Sequence, residues 1–357
     1  MRTMNRFVAF ILVFAATLPR AVYGLDLQPR FDPLARRLLD DRVAMGFVVG
    51  IVKDGQTAVS AYGETKKSSG ITPTGDTVYE IGSITKVFTG ILLADTMQRG
   101  IVKLDAPVQD YLPASVKLSV IDGQPITLQH LVTHTSGLPR LPENLSPVNR
   151  FNPYADYTVK RMYEFLRWYG FRRPPGKYEY SNFGMGLLGH VLTLQADKTY
   201  EQLLIERICA PLGMHDTLPS PNADMLKRLA PPYDERLWLV ENWDLPALAG
   251  AGGIRSTVND MLKFIKANLA NDDTPISQAI WLSHRKLYTM ENGKGVGMAW
   301  NISPNGLILF HDGTTGGYHS WLAVVPSRNV GVVVLANSAN NLVTKFGDAV
   351  TRIAIGN

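Results

Sequence analysis

The sequence predicts an α+β fold, with one five-stranded antiparallel sheet built from both ends of the chain, flanking helices and an inserted, mainly helical region. The main observation is that strand-like runs occur at residues 47–53 and 57–62 and again at 307–311, 318–325 and 330–336. Helical periodicity dominates the long stretch between them. Strands separated in this way indicate that the two ends of the chain pair with each other.

The first 24 residues have the pattern of a secretory signal peptide. Arg2 and Arg6 give a basic start, residues 7–18 are a 12-residue apolar run, and small residues precede a cleavage position after Gly24. The run is short for a membrane span, although an uncleaved anchor is the alternative interpretation. We therefore expect a periplasmic or secreted protein.

The composition is that of an ordinary globular protein, with 45% hydrophobic and 19% charged residues over 357 positions. We expect one domain, in which 25–90 and 285–357 form an α/β sheet subdomain and 91–284 a helical subdomain. Losing the three arginines of residues 1–24 lowers the net charge from +5 to about +2. Since no basic run interleaved with aromatic residues occurs, we expect no nucleic-acid binding.

The elements of the domain follow from local pattern. Residues 31–44 have an amphipathic pattern that predicts a first helix, and Asp54-Gly55 is a hairpin turn signal between the first two strands. Cys209, the only cysteine, lies in a helical pattern and is predicted to be a buried small apolar residue. Long loops are predicted over 139–153 and 211–232. Further helices are predicted near 127–133, 157–168, 183–196, 200–210, 257–270 and 342–355.

Ser83 and Lys86 stand nearly one helical turn apart at the start of an apolar helical run. A hydroxyl in the first turn lies near free backbone N–H groups, and a buried lysine with a lowered pKa can activate it as a nucleophile. Ser283 and Lys286 have the same spacing, and we interpret that copy as a polar helix end. Spacing alone does not separate the two pairs.

Two further groups of residues accompany the first pair. Tyr180-Ser-Asn182 precedes a predicted helix, and His311-Asp-Gly313, followed by Thr314, ends a predicted strand. Taken alone, the first is typical of a helix N-cap and the second of an edge strand that enters a glycine turn. Taken with Ser83, they supply a proton acceptor, an amide for hydrogen bonding and a strand edge for an extended substrate.

In this combination the chain resembles the serine penicillin-recognising hydrolases: class C β-lactamases, their carboxypeptidase and endopeptidase relatives, and related esterases. The resemblance extends over nearly the whole chain after residue 24. It includes Tyr62-Gly-Glu, Leu131-Val-Thr-His-Thr-Ser-Gly-Leu-Pro139, Pro211-Leu-Gly-Met-His215 and Gly252-Gly-Ile-Arg-Ser-Thr257. It implies a β-lactamase/transpeptidase-like fold and a single catalytic domain.

The resemblance also implies the catalytic residues. Ser83 matches the acylated nucleophile, Lys86 its activating partner and Tyr180 the general base. Because the second motif begins with tyrosine, the class C-like branch fits best. His134, in the His-Thr-Ser-Gly run, is interpreted as structural support for a loop under the site.

Four residues match the substrate-binding positions of these proteins. Asn182 matches the amide that binds substrate, His311 and Gly313 match the third motif, and Thr314 would give the second oxyanion N–H. The third motif commonly begins with lysine in class C β-lactamases. A neutral imidazole would hold a substrate carboxylate less firmly than an ammonium, although a histidine can gain charge at mildly acidic pH.

These observations predict an exported serine hydrolase that forms an acyl-enzyme with β-lactams or D-alanyl-D-alanine amides. A carboxylesterase and a penicillin-binding sensor without turnover are the alternatives. No metal site or cofactor is expected, since no zinc-ligand spacing or phosphate-binding glycine loop occurs. The expected partner is a small-molecule or peptidoglycan-derived substrate, met at the cell wall or membrane surface; the sequence does not specify an oligomeric state.

Overall fold

A computed structural model describes residues 27–170 and 173–356. The predicted signal peptide and its cleavage position after Gly24 lie outside the described residues. Within the described ranges, no helix has the length and apolar character needed to cross a membrane.

The strands form one large and one small sheet, both antiparallel. Their bounds are β1 (Gly46–Lys53), β2 (Gln56–Gly63), β3 (Val78–Glu80), β4 (Arg255–Thr257), β5 (Tyr288–Thr289), β6 (Gly295–Val296), β7 (Asn301–Ile302), β8 (Leu309–Thr314), β9 (His319–Val325) and β10 (Val330–Ala336). The large sheet has the order β2-β1-β10-β9-β8-β7-β6-β5, and β3 pairs with β4.

The large sheet confirms the pairing of the two chain ends but not the predicted strand count. Its five long strands, from β2 to β8 in spatial order, are the five that the sequence predicts. Three strands of two residues each, β5, β6 and β7, extend it to eight. A two-residue strand contains no alternation to detect, so these strands depend on pairing with β8 and its neighbours.

Helices cover both faces of the large sheet and fill the middle of the chain. Their bounds are α1 (Gln28–Asp40), α2 (Thr85–Gln98), α3 (Leu128–Val132), α4 (Val159–Trp168), α5 (Asn182–Ala196), α6 (Tyr200–Leu204), α7 (Ala210–Leu212), α8 (Ala223–Arg228), α9 (Ala249–Gly252), α10 (Val258–Leu269), α11 (Pro275–Ser283) and α12 (Leu342–Ile355). A π-helical turn, Ile205–Cys209, joins α6 to α7.

The two faces of the sheet have separate apolar cores. On β1, Phe47 packs with Phe31 of α1 and Phe346 of α12, whereas the next residue, Val48, faces the core that contains α2 and α10. Successive side chains of a strand point to opposite faces, so a strand covered on both sides is apolar throughout. The subdomain boundaries at 90/91 and 284/285 remain a prediction.

Two local predictions have different outcomes. Cys209 is buried, at 2% exposure, as the sequence predicts. The segment 211–232 is not a continuous loop, because α8 lies within it. The side chain of Asn222 caps that helix by accepting hydrogen bonds from the N–H groups of Asp224 and Met225, which is an N-cap signal that composition alone obscures.

Candidate active site

Ser83 lies in a short 3₁₀ turn, Gly82–Ile84, between β3 and α2. The sequence places it in the first helical turn, and the structure starts α2 two residues later, at Thr85. Gly82 has φ +50°, and a Cβ there would lie 2.7 Å from the backbone nitrogen of Thr314. Glycine is therefore required both by the left-handed backbone and by the close approach of β8.

Lys86 is buried against Ser83. Its Nζ lies 2.9 Å from Ser83 Oγ and donates a hydrogen bond to the carbonyl oxygen of Ala251 at 2.6 Å. Burial, reinforced by the positive charge of Arg140, lowers the pKa of Lys86 well below its ordinary value, while Asp312 acts in the opposite direction. A neutral amine in this position can accept a proton from the serine hydroxyl.

Tyr180 completes the group around Ser83. Lys86 Nζ lies 4.8 Å from the centroid of the Tyr180 ring. The ring of His134 packs against the same ring, with 4.4 Å between the two centroids. Burial raises the pKa of Tyr180, while a hydrogen bond with Ser83 lowers it in part. The hydroxyl is therefore held as a neutral phenol, which donates hydrogen bonds more readily than it removes a proton.

In the motif Tyr180-Ser-Asn182, one residue caps a helix and another lines the cleft. Ser181 caps α5 by accepting from the N–H of Gly184 at 2.8 Å, and its own N–H donates to Nδ1 of His134. This contact agrees with the structural role predicted for His134. Asn182 lines the cleft, and its Oδ1 is buried without a hydrogen-bond partner among the described residues, so it is free to bind a substrate group.

His311 lies at the site as a buried imidazole. The side chain is 2% exposed, and its Nδ1–H donates to the carbonyl oxygen of Asp312 at 2.6 Å. Burial lowers the pKa of His311 to about 4, although Asp312 opposes this effect. The imidazole is therefore neutral at mildly acidic pH, with Nε2 as an acceptor, and does not supply the charge that a histidine could gain there.

Gly313 and Thr314 bring the end of β8 against the turn that carries Ser83. A Cβ on Gly313 would lie 2.1 Å from the carbonyl oxygen of Ile81, and the Ser320 hydroxyl donates to that same oxygen at 2.9 Å. Strand β7 pairs with β8 only at residues 309 and 310, so the same edge is unpaired from 311 to 314. The N–H groups of Ser83 and Thr314 are thus brought near one another beside an open strand edge.

These residues line one cleft of about 520 Å³. Ser83, Tyr180, Asn182, His311 and Thr314 all contribute to its wall. Four aromatic side chains in this half of the chain have different environments. Trp243 lines the cleft and packs edge-on against Tyr154, whereas Tyr318 and Trp321 are buried in the core and Trp238 is 67% exposed.

Three contributions to the site are not evident from the sequence. The carbonyl of Ala251 anchors Lys86, Ser320 holds the Ile81 turn, and the Arg140 guanidinium lies 5.1 Å from the centroid of the Tyr180 ring. A backbone carbonyl carries no residue-type signal. Arg140 follows the His-Thr-Ser-Gly-Leu-Pro run directly, and this adjacency is the one signal that could have identified it.

Ser283 and Lys286, the second pair with this spacing, are arranged differently from Ser83 and Lys86. Ser283 ends α11, is fully buried, and accepts a hydrogen bond from Trp300 Nε1, while Lys286 is exposed. This confirms its interpretation as a helix end. Across the described ranges, no group of three or more His, Cys, Asp or Glu residues is arranged to hold a metal ion.

Known proteins are similar to this chain over most of their length. The β-lactamase family model matches residues 31–355. The chain is 28% identical to the D-alanyl-D-alanine-carboxypeptidase/endopeptidase AmpH of Escherichia coli K12, covering 98% of this chain and 97% of that protein. It is 27% identical to a β-lactamase of Pseudomonas fluorescens, covering 87% and 94%.

A solved structure gives the same result for the fold. The β-lactamase/D-alanine carboxypeptidase of Yersinia pestis superposes with a TM-score of 0.80 at 28% identity, covering 92% of this chain and 97% of that chain. The family match spans nearly all the described residues, including both ends of the sheet and the cleft between them. The chain belongs to the β-lactamase family.

Proposed function

We propose that this chain is an exported serine hydrolase that forms an acyl-enzyme with β-lactams or D-alanyl-D-alanine amides. The observation that carries the proposal is the pair Ser83 and Lys86, whose Oγ and Nζ lie 2.9 Å apart where the amine is desolvated. The relatives named as β-lactamase and as carboxypeptidase/endopeptidase support the same chemistry. Its substrate is then met outside the cytoplasm, at the cell wall or the membrane surface.

In acylation, Ser83 Oγ attacks the substrate carbonyl and its proton passes to Lys86. The lysine is the better acceptor, because burial favours its neutral form, whereas burial of Tyr180 keeps that hydroxyl protonated. The developing oxyanion accepts hydrogen bonds from the N–H groups of Ser83 and Thr314. As the carbonyl re-forms and the C–N bond breaks, Tyr180 donates a proton to the leaving nitrogen and regains one from the lysine ammonium.

Deacylation uses the same groups in reverse. Water attacks the ester carbonyl and gives its proton to Tyr180, which passes its own proton to the neutral Lys86. Collapse of the intermediate releases the acid, and Ser83 Oγ recovers a proton from the lysine. Tyr180 thus relays protons rather than acting as a standing phenolate. Asn182, which lines the cleft and whose Oδ1 has no hydrogen-bond partner among the described residues, binds an amide of the acyl portion.

Covalent labelling tests the nucleophile. Ser83→Ala should abolish labelling by a fluorescent penicillin and all turnover, while Ser283→Ala, in the second pair with the same spacing, should retain both. Labelling or turnover that survives in Ser83→Ala would refute the scheme.

Parallel turnover assays separate the substrate classes. Nitrocefin, diacetyl-L-lysyl-D-alanyl-D-alanine and p-nitrophenyl butyrate should be compared with the same wild-type preparation. Turnover of the first or the second is expected. Rapid ester turnover with slow reaction on the other two would identify a carboxylesterase instead, and a stoichiometric burst without turnover would identify a penicillin-binding sensor.

Fractionation tests export. The full chain, expressed in a Gram-negative host, should accumulate outside the cytoplasm in a form that lacks its first 24 residues. Retention in the cytoplasm at full length would contradict this part of the proposal.

A further inference from the structure

The proposed substrates carry a free carboxylate, so the cleft needs a positive charge to bind it. This inference rests on the proposed function. His311 occupies the position where related enzymes commonly have a lysine, but it is buried, and its Nδ1–H is already donated to a backbone carbonyl. Its neighbour Asp312 lines the same cleft and is negatively charged. Neither the buried imidazole nor the Asp312 carboxylate therefore attracts a substrate carboxylate.

Arg140 lies on another part of the cleft wall and is held there by its backbone. Its carbonyl oxygen accepts from the N–H groups of Asn182 and Phe183, at 3.0 and 3.2 Å, which ties it to the first turn of α5. Its side chain is exposed, lines the cleft, and places Cζ 5.1 Å from the centroid of the Tyr180 ring. The guanidinium thus lies beside the reacting groups and remains open to the cleft.

We propose that Arg140 binds the free carboxylate of the substrate. A guanidinium presents paired N–H donors that match the two oxygens of a carboxylate, and such charge-assisted pairs are among the stronger hydrogen bonds in proteins. The residue thereby supplies the charge that lysine supplies elsewhere in the family, but from the loop before α5 rather than from β8. It determines which substrates bind and takes no part in proton transfer.

Lys294 is the competing cation of the cleft. It lies between β5 and β6, with Nζ 5.9 Å from the centroid of the Phe310 ring. Arg140 Cζ lies 5.1 Å from the centroid of the Tyr180 ring, to which Lys86 Nζ also lies close, whereas Lys294 packs over the ring of Phe310. Arg140 is therefore the cation close to Ser83, and Lys294 provides a matched control.

The decisive experiment compares one peptide with and without its charge. Diacetyl-L-lysyl-D-alanyl-D-alanine and its C-terminal amide should be assayed with wild type, Arg140→Gln, Arg140→Lys and Lys294→Gln. We expect wild type and Lys294→Gln to prefer the acid, and Arg140→Gln to lose about 10- to 100-fold in kcat/KM on the acid alone, mainly through KM. Arg140→Lys should recover part of the loss.

An uncharged ester separates substrate binding from an effect on Lys86. Arg140 also lowers the pKa of Lys86, so that pKa should rise in Arg140→Gln. The acidic limb of the ester pH profile should therefore move to higher pH, while the rate on the alkaline plateau stays at the wild-type value. Preference for the acid that persists in Arg140→Gln would overturn the inference. So would loss of the preference in Lys294→Gln, or an equal fall on the ester plateau.

A failure of the proposed function has a different signature. Wild type would then turn over neither the peptide acid nor nitrocefin. In that case, competitive inhibition of ester hydrolysis by N-acetyl-D-alanine still tests Arg140. Weaker inhibition in Arg140→Gln, with the amide of the same compound inert toward both proteins, is the expected result, and unchanged inhibition would overturn it.

Discussion

Replacing Gly313 with alanine would place a methyl group between the end of β8 and the turn that carries Ser83. The added Cβ would lie 2.1 Å from the carbonyl oxygen of Ile81 and 2.4 Å from Ser320 Oγ. To reach even 3.0 Å from that oxygen, the two segments must separate by about 0.9 Å. The carbonyl oxygen of Ile81 is a backbone atom and cannot move aside by a side-chain rotation. The two segments must therefore separate, and this moves Thr314 relative to Ser83.

The expected loss follows from that movement. A displacement near 1 Å at a catalytic group costs on the order of 100-fold in rate, and loss of an oxyanion donor has a similar effect. Overpacking of a close contact costs about 1–3 kcal/mol of stability, so the fold should survive. We expect kcat for nitrocefin to fall about 100-fold in Gly313→Ala, with a smaller change in KM.

Stopped-flow acylation and urea denaturation measure the two effects separately. Gly170→Ala is the matched control, since a Cβ there meets no atom of the described residues within 4 Å, and it should leave both quantities unchanged. If Gly313→Ala acylates at the wild-type rate while remaining folded, the contact between β8 and the Ser83 turn does not set the oxyanion geometry.

Three further predictions concern charge. Because burial lowers the pKa of Lys86, the free amine forms as pH rises, and wild-type kcat/KM should level off well below the ordinary lysine pKa of about 10.4. His311→Gln should leave that acidic limb unchanged above about pH 5, since the pKa of His311 is about 4; a shifted limb in pH–rate profiles would contradict this. Arg255→Met should lower the free energy of unfolding by about 3–5 kcal/mol in urea titrations, because it leaves the buried carboxylate of Glu80, 3.5 Å away, without its cationic partner and with the neutral donors of Asn242 and Trp243. The exposed Arg36→Met is the control, and an equally small change in Arg255→Met would show that the buried pair contributes little.

Much of the sheet could be predicted because its long strands carry their own signal. Residues 330–336 are apolar without interruption and bounded by turns, and the structure places them in the sheet as β10. Strands β5, β6 and β7 have two residues each, too few for a period, and they form because β8 offers an edge. Helix α8 was missed for a related reason, since six residues within a proline-rich segment give little periodic signal.

The candidate site likewise contains features that the sequence could predict and features that it could not. Ser83, Tyr180 and Thr314 belong to short motifs whose residue types suit one chemistry, so sequence could nominate them. The protonation of His311 could not be predicted, because it depends on burial by residues distant in the chain. Arg140 carries no motif of its own, and its place in the cleft depends on the hydrogen bonds that tie its carbonyl to α5.

The sequence by itself determined that a serine and a lysine lie one turn apart, and that strands from both ends of the chain form one sheet. It could not rank Ser83 and Lys86 above Ser283 and Lys286 by spacing, since a spacing fixes only local geometry. The accompanying motifs favoured the first pair, and the tertiary structure supplies the physical reason. It buries Lys86 beside a serine that faces the cleft, whereas it buries Ser283 and leaves Lys286 in solvent. Desolvation lowers the pKa of the buried lysine alone, and desolvation is a property of the packed fold rather than of the chain.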